Sequence, residues 1–210
     1  MSQSKVVFDP GDIISKSWVI FTNNVGPLLG ANLIMIIILS VSSVVPFGPL
    51  VLVGPLMLGM YKMTRAAIRG ENVEFGDLFS GFPKFLPTFL ASLLITIFSC
   101  IGMIFCIVPG ILVSILYLPT YLFILDDNLD FWNAMEASRR MVMNNLGQWL
   151  ILALVLCVLN IAGCLACGVG LLVTIPMMYI AITIAFDQEH QGFSIVTPTL
   201  PPSTPEEPST

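Results

Sequence analysis

Residues 108–115 read VPGILVSI, and the phrase has two echoes: FGPLVLVG at 47–54 and GVGLLVTI at 168–175. Each contains Gly-x-Leu-Val, at Gly48 to Val51, Gly110 to Val113 and Gly170 to Val173. Each lies in the middle of a long uncharged apolar run. Between Trp18 and Tyr61 there is no Asp, Glu, Lys or Arg, and the same holds from Phe85 to Leu125 and from Met141 to Phe186. Each run is about twice the roughly 20 helical residues that cross a hydrocarbon core about 30 Å thick. A double-length run with a Gly or Pro turn at its centre reads as a helical hairpin.

The composition agrees. The chain is 56% hydrophobic and 10% charged, with a mean hydropathy of +0.93; soluble domains carry about 25% charged residues. So few polar groups cannot cover a water-facing surface, and lipid is the alternative solvent. The runs do not alternate in polarity, which argues against a β-barrel. The opening MSQSKVVFDPGD is too polar for a cleavable signal peptide, so insertion is expected to use the first span.

The expected fold is therefore all-α: a polytopic membrane protein with six transmembrane helices in three hairpins. The first is expected to climb from Gly26 to about Val45, turn at Pro46-Phe47-Gly48-Pro49 and return to about Thr64. The second climbs from Phe85 to about Phe105, turns at Val108-Pro109-Gly110 and returns to Leu125. The third climbs from Gly147 to about Gly163, turns near Cys167 to Gly170 and returns to Phe186. Gly allows the dihedrals of a tight turn, and Pro is tolerated where a helix begins. Gly48, Pro109, Gly110 and Gly170 are thus structural residues of the tips. Pro55, Pro119 and Pro176 fall inside the returning helices and are expected to kink them.

Any tight membrane hairpin favours Gly or Pro at its tip, yet a second alignment points to an internal repeat. A shift of 121 residues places Ser17 on Ser138, Asn23-Asn24 on Asn144-Asn145, Gly26 on Gly147 and Pro55 on Pro176. Gly11-Asp12-Ile13-Ile14-Ser15 resembles Gly76-Asp77-Leu78-Phe79-Ser80 more weakly. The pseudo-repeated units run about 9–70, 71–127 and 128–187, within one membrane domain at 1–190. Residues 191–210, rich in Pro, Ser and Thr, are expected to form a disordered tail.

Each unit opens on a short amphipathic segment. Asp9-Pro10 is a helix start, with Asp as N-cap and Pro at the first position. Ile14, Trp18, Phe21 and Val25 then follow at helical spacing. Phe75, Leu78, Phe79 and Phe82 make an aromatic stripe before the second hairpin. Phe131, Ala134, Met135, Ser138 and Val142 share a face before the third. Such helices lie in the headgroup plane or pack as solvated loop helices on the bundle. All eight Lys and Arg residues lie on the N-terminal side of the hairpins, and the tips carry no charge. By the positive-inside rule both termini face the cytoplasm, and a bacterial inner (plasma) membrane is the expected location.

Residues with chemical potential are few. No expected span holds an ionisable group, which a coupled transporter usually needs. Asn32 and Asn160 suit hydrogen bonds between helices. Cys164-x-x-Cys167 is a weak redox or metal signal, and Cys also packs as a small apolar residue. Asp126, Asp127 and Asp130 suit a charged stop and the N-cap of the next helix better than a metal site. The single His190 allows no Ser-His-Asp set at one membrane face, and no phosphate-binding loop occurs.

Val108-Pro109-Gly110-Ile111, Tyr121, Asp126, Ala134 and Ser138, with Gly168-x-Gly170 and Pro176, resemble bacterial six-helix membrane families of unknown function. They are also similar to the membrane domain found ahead of some glycerophosphodiester phosphodiesterases. The similarity covers most of residues 9–187. It implies a six-span bundle with amphipathic cytoplasmic helices. No attached phosphodiesterase domain is expected, so the resemblance implies no reaction.

The expected function is non-enzymatic: a scaffold or accessory subunit with a lipid-facing role. Lys62, Arg65, Arg69, Arg139 and Arg140 would meet anionic headgroups, each contributing about 1 kcal/mol near the surface. Membrane lipid and a membrane protein are the expected partners; no nucleic acid, cofactor or metal is expected. The alternative is a small transporter or channel for an apolar or neutral solute, lined by Asn32, Asn160 and Ser or Thr.

Overall fold

The computed structural model describes residues 9–105, 107–165 and 170–194. Among them all regular structure is helical and no strand occurs. The order is α1 (Pro10–Asn23), α2 (Val25–Ser42), α3 (Gly48–Arg69), two 3-10 turns (Phe75–Phe79 and Phe82–Lys84), α4 (Phe85–Phe105), α5 (Ile107–Leu116), α6 (Thr120–Asp126), α7 (Phe131–Asn144), α8 (Leu146–Leu165) and α9 (Leu171–Ser194). Five helical stretches are long and apolar enough to cross a membrane: Val25–Ser42, Phe75–Ile104, Pro109–Asp126, Leu146–Leu165 and Leu171–His190. They mark the chain as a membrane protein. Helix α3 is not among them, and its second half carries Lys62, Arg65 and Arg69.

The rising and returning helices differ in burial. Of the rising spans 22%, 17% and 22% lies buried in the bundle, against 44% and 50% of the returning spans Pro109–Asp126 and Leu171–His190. Helices α3, α6 and α9 form the core, through Leu56, Met60 and Tyr61, Tyr121 to Ile124, and Tyr179 to Phe186. Helices α2, α4 and α8 turn Ile37, Ile101 and Leu154 outward. In lipid, apolar side chains gain little by leaving the solvent, so tight packing and internal hydrogen bonds hold the helices together.

That requirement explains the repeated Gly-x-Leu-Val. The expectation that these glycines supply turn dihedrals is corrected. Among the described residues the only glycine with a left-handed φ is Gly70, and at the first tip Phe47 takes that conformation at φ 65°. The tip glycines instead let the returning helix lie against the rising backbone. A Cβ on Gly48 would meet the Ser42 carbonyl oxygen at 2.1 Å, one on Gly110 the Met103 nitrogen at 2.9 Å, and one on Gly170 the Gly163 Cα at 2.5 Å. Only a bare backbone fits at such separations.

Asp9 caps α1 as expected, its Oδ1 accepting from Gly11 N at 2.9 Å, and Pro10 opens the helix. Helix α1 ends at Asn24, with φ −128° and ψ 32°. Helix α7 meets α8 at Asn145, with φ −128° and ψ 38°. Ser17 and Ser138 are both fully buried.

The second unit departs from expectation three times. Two 3-10 turns replace the amphipathic helix before α4. They lie flush on α3: a Cβ on Gly59 would stand 1.9 Å from the Leu78 carbonyl oxygen, and one on Gly81 would stand 2.0 Å from that of Pro55. Gly76, Gly81 and Pro83 disfavour a regular α-helix there. The expected turn residues Val108-Pro109-Gly110 are also helical, since α5 already runs from Ile107 and holds Pro109 and Gly110 in its first turn. Pro119 does more than kink the returning helix: it separates α5 from α6. Ser138 Oγ donates to the Leu116 carbonyl at 2.7 Å and Tyr61 Oη to that of Leu118 at 3.4 Å, satisfying acceptors that a proline break leaves free. Pro55 and Pro176 lie inside unbroken helices. Helix α9 runs on to Ser194; the rest of the expected tail lies outside the described residues, as do Cys106, Cys167 and Gly168.

Candidate functional site

Three returning helices end together, and their ends carry most of the paired charge. Arg65 of α3 donates to Asp126 at the end of α6 and to Asp187 of α9. Its side chain is 12% exposed, and its Cζ lies 5.5 Å from the centre of the Phe186 ring. Asp127 faces His190 Nε2 at 3.6 Å. The imidazole packs on Phe186 and Phe123, with ring centres 4.8 and 5.6 Å away. Burial holds the Asp127 carboxyl above the usual carboxylate range; His190 and Arg65 pull it back, and Asp126 pushes it up. Deeper in the bundle, the Thr64 and Thr183 hydroxyls lie 3.3 Å apart. Tyr61 stacks near Tyr121 and meets Tyr179 edge-on at 5.0 Å.

A buried carboxylate lies two residues beyond Asp187 on α9. Glu189 is 4% exposed. Its Oε1 accepts from Asn145 Nδ2 at 2.7 Å and its Oε2 from Trp149 Nε1 at 2.5 Å. Both donors stand where α8 begins, so the positive end of that helix adds to the field on the carboxylate. The candidate span Leu171–His190 thus ends on Asp187, Glu189 and His190. The sequence expectation had ended the last span at Phe186, before these residues.

The cations named from sequence are distributed as follows. Lys62 pairs with Asp77 at 2.8 Å. Arg65 faces inward, as described. Arg69 is exposed at the end of α3 and makes no ion pair among the described residues. Arg139 and Arg140 both bond to Glu136, at 2.8 to 2.9 Å. The bonds from Arg139 and then Arg140 hold the Glu136 carboxyl down at about 2. Two arginines against one glutamate leave this cluster with a net charge of +1. Asn32 and Asn160 do join helices: Asn32 Nδ2 donates to the Leu172 carbonyl at 3.3 Å, and Asn160 Oδ1 accepts from Thr174 Oγ1 at 3.0 Å. Asp130 stands at the N-cap of α7 without a side-chain cap bond.

Around the same end, aromatic side chains face outward. Trp18, Phe75, Phe79, Phe82, Phe85 and Trp132 are 36 to 58% exposed. The Phe75 ring lies against the bare backbone of Gly30, so this collar reaches about one turn down α2. Exposed aromatic rings favour the headgroup level of a bilayer. Cys100, Cys157 and Cys164 are free and exposed. No group of three or more metal-ligating side chains occurs among the described residues. An apolar groove of about 520 Å³ opens between α5, α8 and α9, with Asn160 and Ser114 the polar side chains of its lining.

No known protein family, characterised protein or solved structure matches the chain.

Proposed function

We propose that the protein is a non-enzymatic integral membrane scaffold or accessory subunit that works at the lipid surface. The observation that carries this is the collar. Exposed aromatic rings from three parts of the chain share one end of the bundle with Lys62, Arg69, Arg139 and Arg140. The more buried carboxylates are engaged within the protein, by Arg65, Asn145 and Trp149. Lys62, Arg69, Arg139 and Arg140 are the cations set to meet anionic headgroups, each contributing about 1 kcal/mol at the surface. Arg65 neutralises carboxylates inside the bundle instead.

The reading includes six spans in three pseudo-repeated hairpins, with α1 and α7 at the interface and both termini cytoplasmic in a bacterial inner membrane. The 22 residues of α3 reach about 33 Å at 1.5 Å each, enough for a sixth span. The matched Asn24 and Asn145 junctions, buried Ser17 and Ser138 and the 121-residue shift support the repeat. Orientation rests on the side that holds the Lys and Arg residues. The resemblance to bacterial six-helix families is part of the same proposal.

The test is native purification followed by mass spectrometry of lipid and protein adducts. Retained anionic lipid that falls when Lys62, Arg69, Arg139 and Arg140 are changed to Gln supports the lipid-facing role. A stoichiometric protein partner supports the accessory role. A bare protein, indifferent to those substitutions, overturns both.

A further inference from the structure

The groove between α5 and α8 differs from the rest of the apolar surface in having depth. Its floor comes from α9, through Met178 and Ile182, and its walls from Ser114 and Leu118 on one side and Leu150, Leu154 and Cys157 on the other. One wall includes Leu118, which lies in the break between α5, ending at Leu116, and α6, beginning at Thr120. Helix α8 is a candidate membrane span, so the groove lies at hydrocarbon depth. Water gains little in a space with so few polar partners, and lipid chains are the solvent there.

The upper lip of the groove is where α7 crosses. Ser138 is bonded to Leu116, next to lining residue Ile115. The following residue, Arg139, lies within electrostatic reach of Tyr117, next to lining residue Leu118. The cluster of net charge +1 formed by Arg139, Arg140 and Glu136 therefore stands at the mouth of an apolar slot. Its arginines are 42 and 67% exposed. A cation above an apolar slot is complementary to one ligand chemistry, an anionic headgroup with an acyl chain beneath it. We propose that the α5–α8 groove seats one acyl chain of an anionic phospholipid whose phosphate is held at Arg139 and Arg140. This deepens the lipid-facing role proposed above and rests on it.

The test uses the full chain in vesicles doped with phosphatidylglycerol or phosphatidylcholine carrying a photoactivatable group midway along one acyl chain. Crosslinks are then mapped by mass spectrometry. The expected result is phosphatidylglycerol labelling concentrated between Leu150 and Asn160, above that on the flat face of α2 at Leu33 and Ile37. Neutralising one arginine, by Arg139→Gln or Arg140→Gln, is expected to lower groove labelling about fivefold while leaving α2 unchanged. Ala153→Phe, which fills the slot, is expected to remove groove labelling for both lipids. The constant α2 signal shows that the variants remain inserted. Even labelling of α2, α4 and α8, or groove labelling indifferent to headgroup and to both arginines, overturns the site. If anionic lipid is nevertheless preferred on every face, the broader lipid-facing role stands; if that preference is absent everywhere, both fall.

Discussion

Trp149 and Glu189, 40 residues apart in sequence, are joined by a 2.5 Å hydrogen bond from the indole Nε1 to the carboxylate Oε2. Trp149 is fully buried and Glu189 is 4% exposed. With Asn145 on the other oxygen, the carboxylate ties α9 to the junction between α7 and α8. A glutamine keeps one acceptor oxygen and turns a donor toward a donor. Glu189→Gln is expected to lower stability in detergent by about 1–3 kcal/mol, as for other buried donors left unpaired. Denaturant unfolding measures this. Trp149→Phe on the Glu189→Gln background is expected to lose less than the sum of the two single changes.

Arg65 is shared by two carboxylates on two other helices, and removing it leaves both without their cation. Arg65→Met is expected to lower stability by about 1–3 kcal/mol, between an exposed and a fully buried pair, since the two carboxylates are 24 and 30% exposed. Adding Asp126→Asn and Asp187→Asn is expected to recover most of the loss. Thermal unfolding of the single and triple variants decides; a triple variant no better than the single one would refute the pairing.

The tip glycines separate close approach from flexibility. Gly170→Ala places a methyl group 2.5 Å from the Gly163 Cα and is expected to cost about 1–3 kcal/mol, as overpacking does. At Gly147 an added Cβ meets nothing within 4 Å. Gly147→Ala is expected to be neutral, or to gain up to about 1 kcal/mol from reduced chain freedom. Unfolding midpoints of the two variants in one detergent give the comparison.

Glu136 supplies a pH signature. Its folded-state value of about 2 lies below the ordinary 4.5, so its bonds to Arg139 and Arg140 contribute stability above about pH 4.5. That contribution fades as the pH falls from 4.5 toward 2, when the carboxyl protonates in the folded state. The stability difference between wild type and Glu136→Gln is expected to be small, because the group is exposed to solvent. It should be constant near neutrality and shrink on acidification. A difference that grows in acid would exclude the pairing.

What could be read from sequence was local. Asp9-Pro10 carries its own capping chemistry, so the start of α1 was legible to the residue. Gly48 and Gly170 were legible as residues that begin the returning helices, whereas Gly110 lies inside α5; the role of all three was not, because it depends on a backbone several residues earlier. The apolar stripe of α1 did not mark its buried face. Spacing had grouped Ile14, Trp18, Phe21 and Val25, whereas the helix buries Ile13, Ser17 and Phe21 and leaves Trp18 52% exposed. In lipid an apolar side chain is as much at home outside as inside, so hydrophobic periodicity alone does not mark the core. Helix α7 fared better: of the grouped Phe131, Ala134, Met135, Ser138 and Val142, the last four are buried and Phe131 is half-buried. The Arg65 cluster was out of reach because its partners lie 61 and 122 residues away. Asp126 and Asp187 look like ordinary charged stops until the three returning helices are brought together.

The glycine contacts beneath the tips also bear on biogenesis. Helices that touch backbone to backbone near their turn, as at Gly163 and Gly170, can close as a pair before meeting the rest of the bundle. The run from Met141 to Phe186 that contains this pair carries no charge, so passing its tip through the bilayer drags no ion across hydrocarbon. Insertion of this pair can then proceed as one closed hairpin. The ion pairs and the Glu189 tie, which link elements far apart in the chain, would form last, on the side where the chain waits.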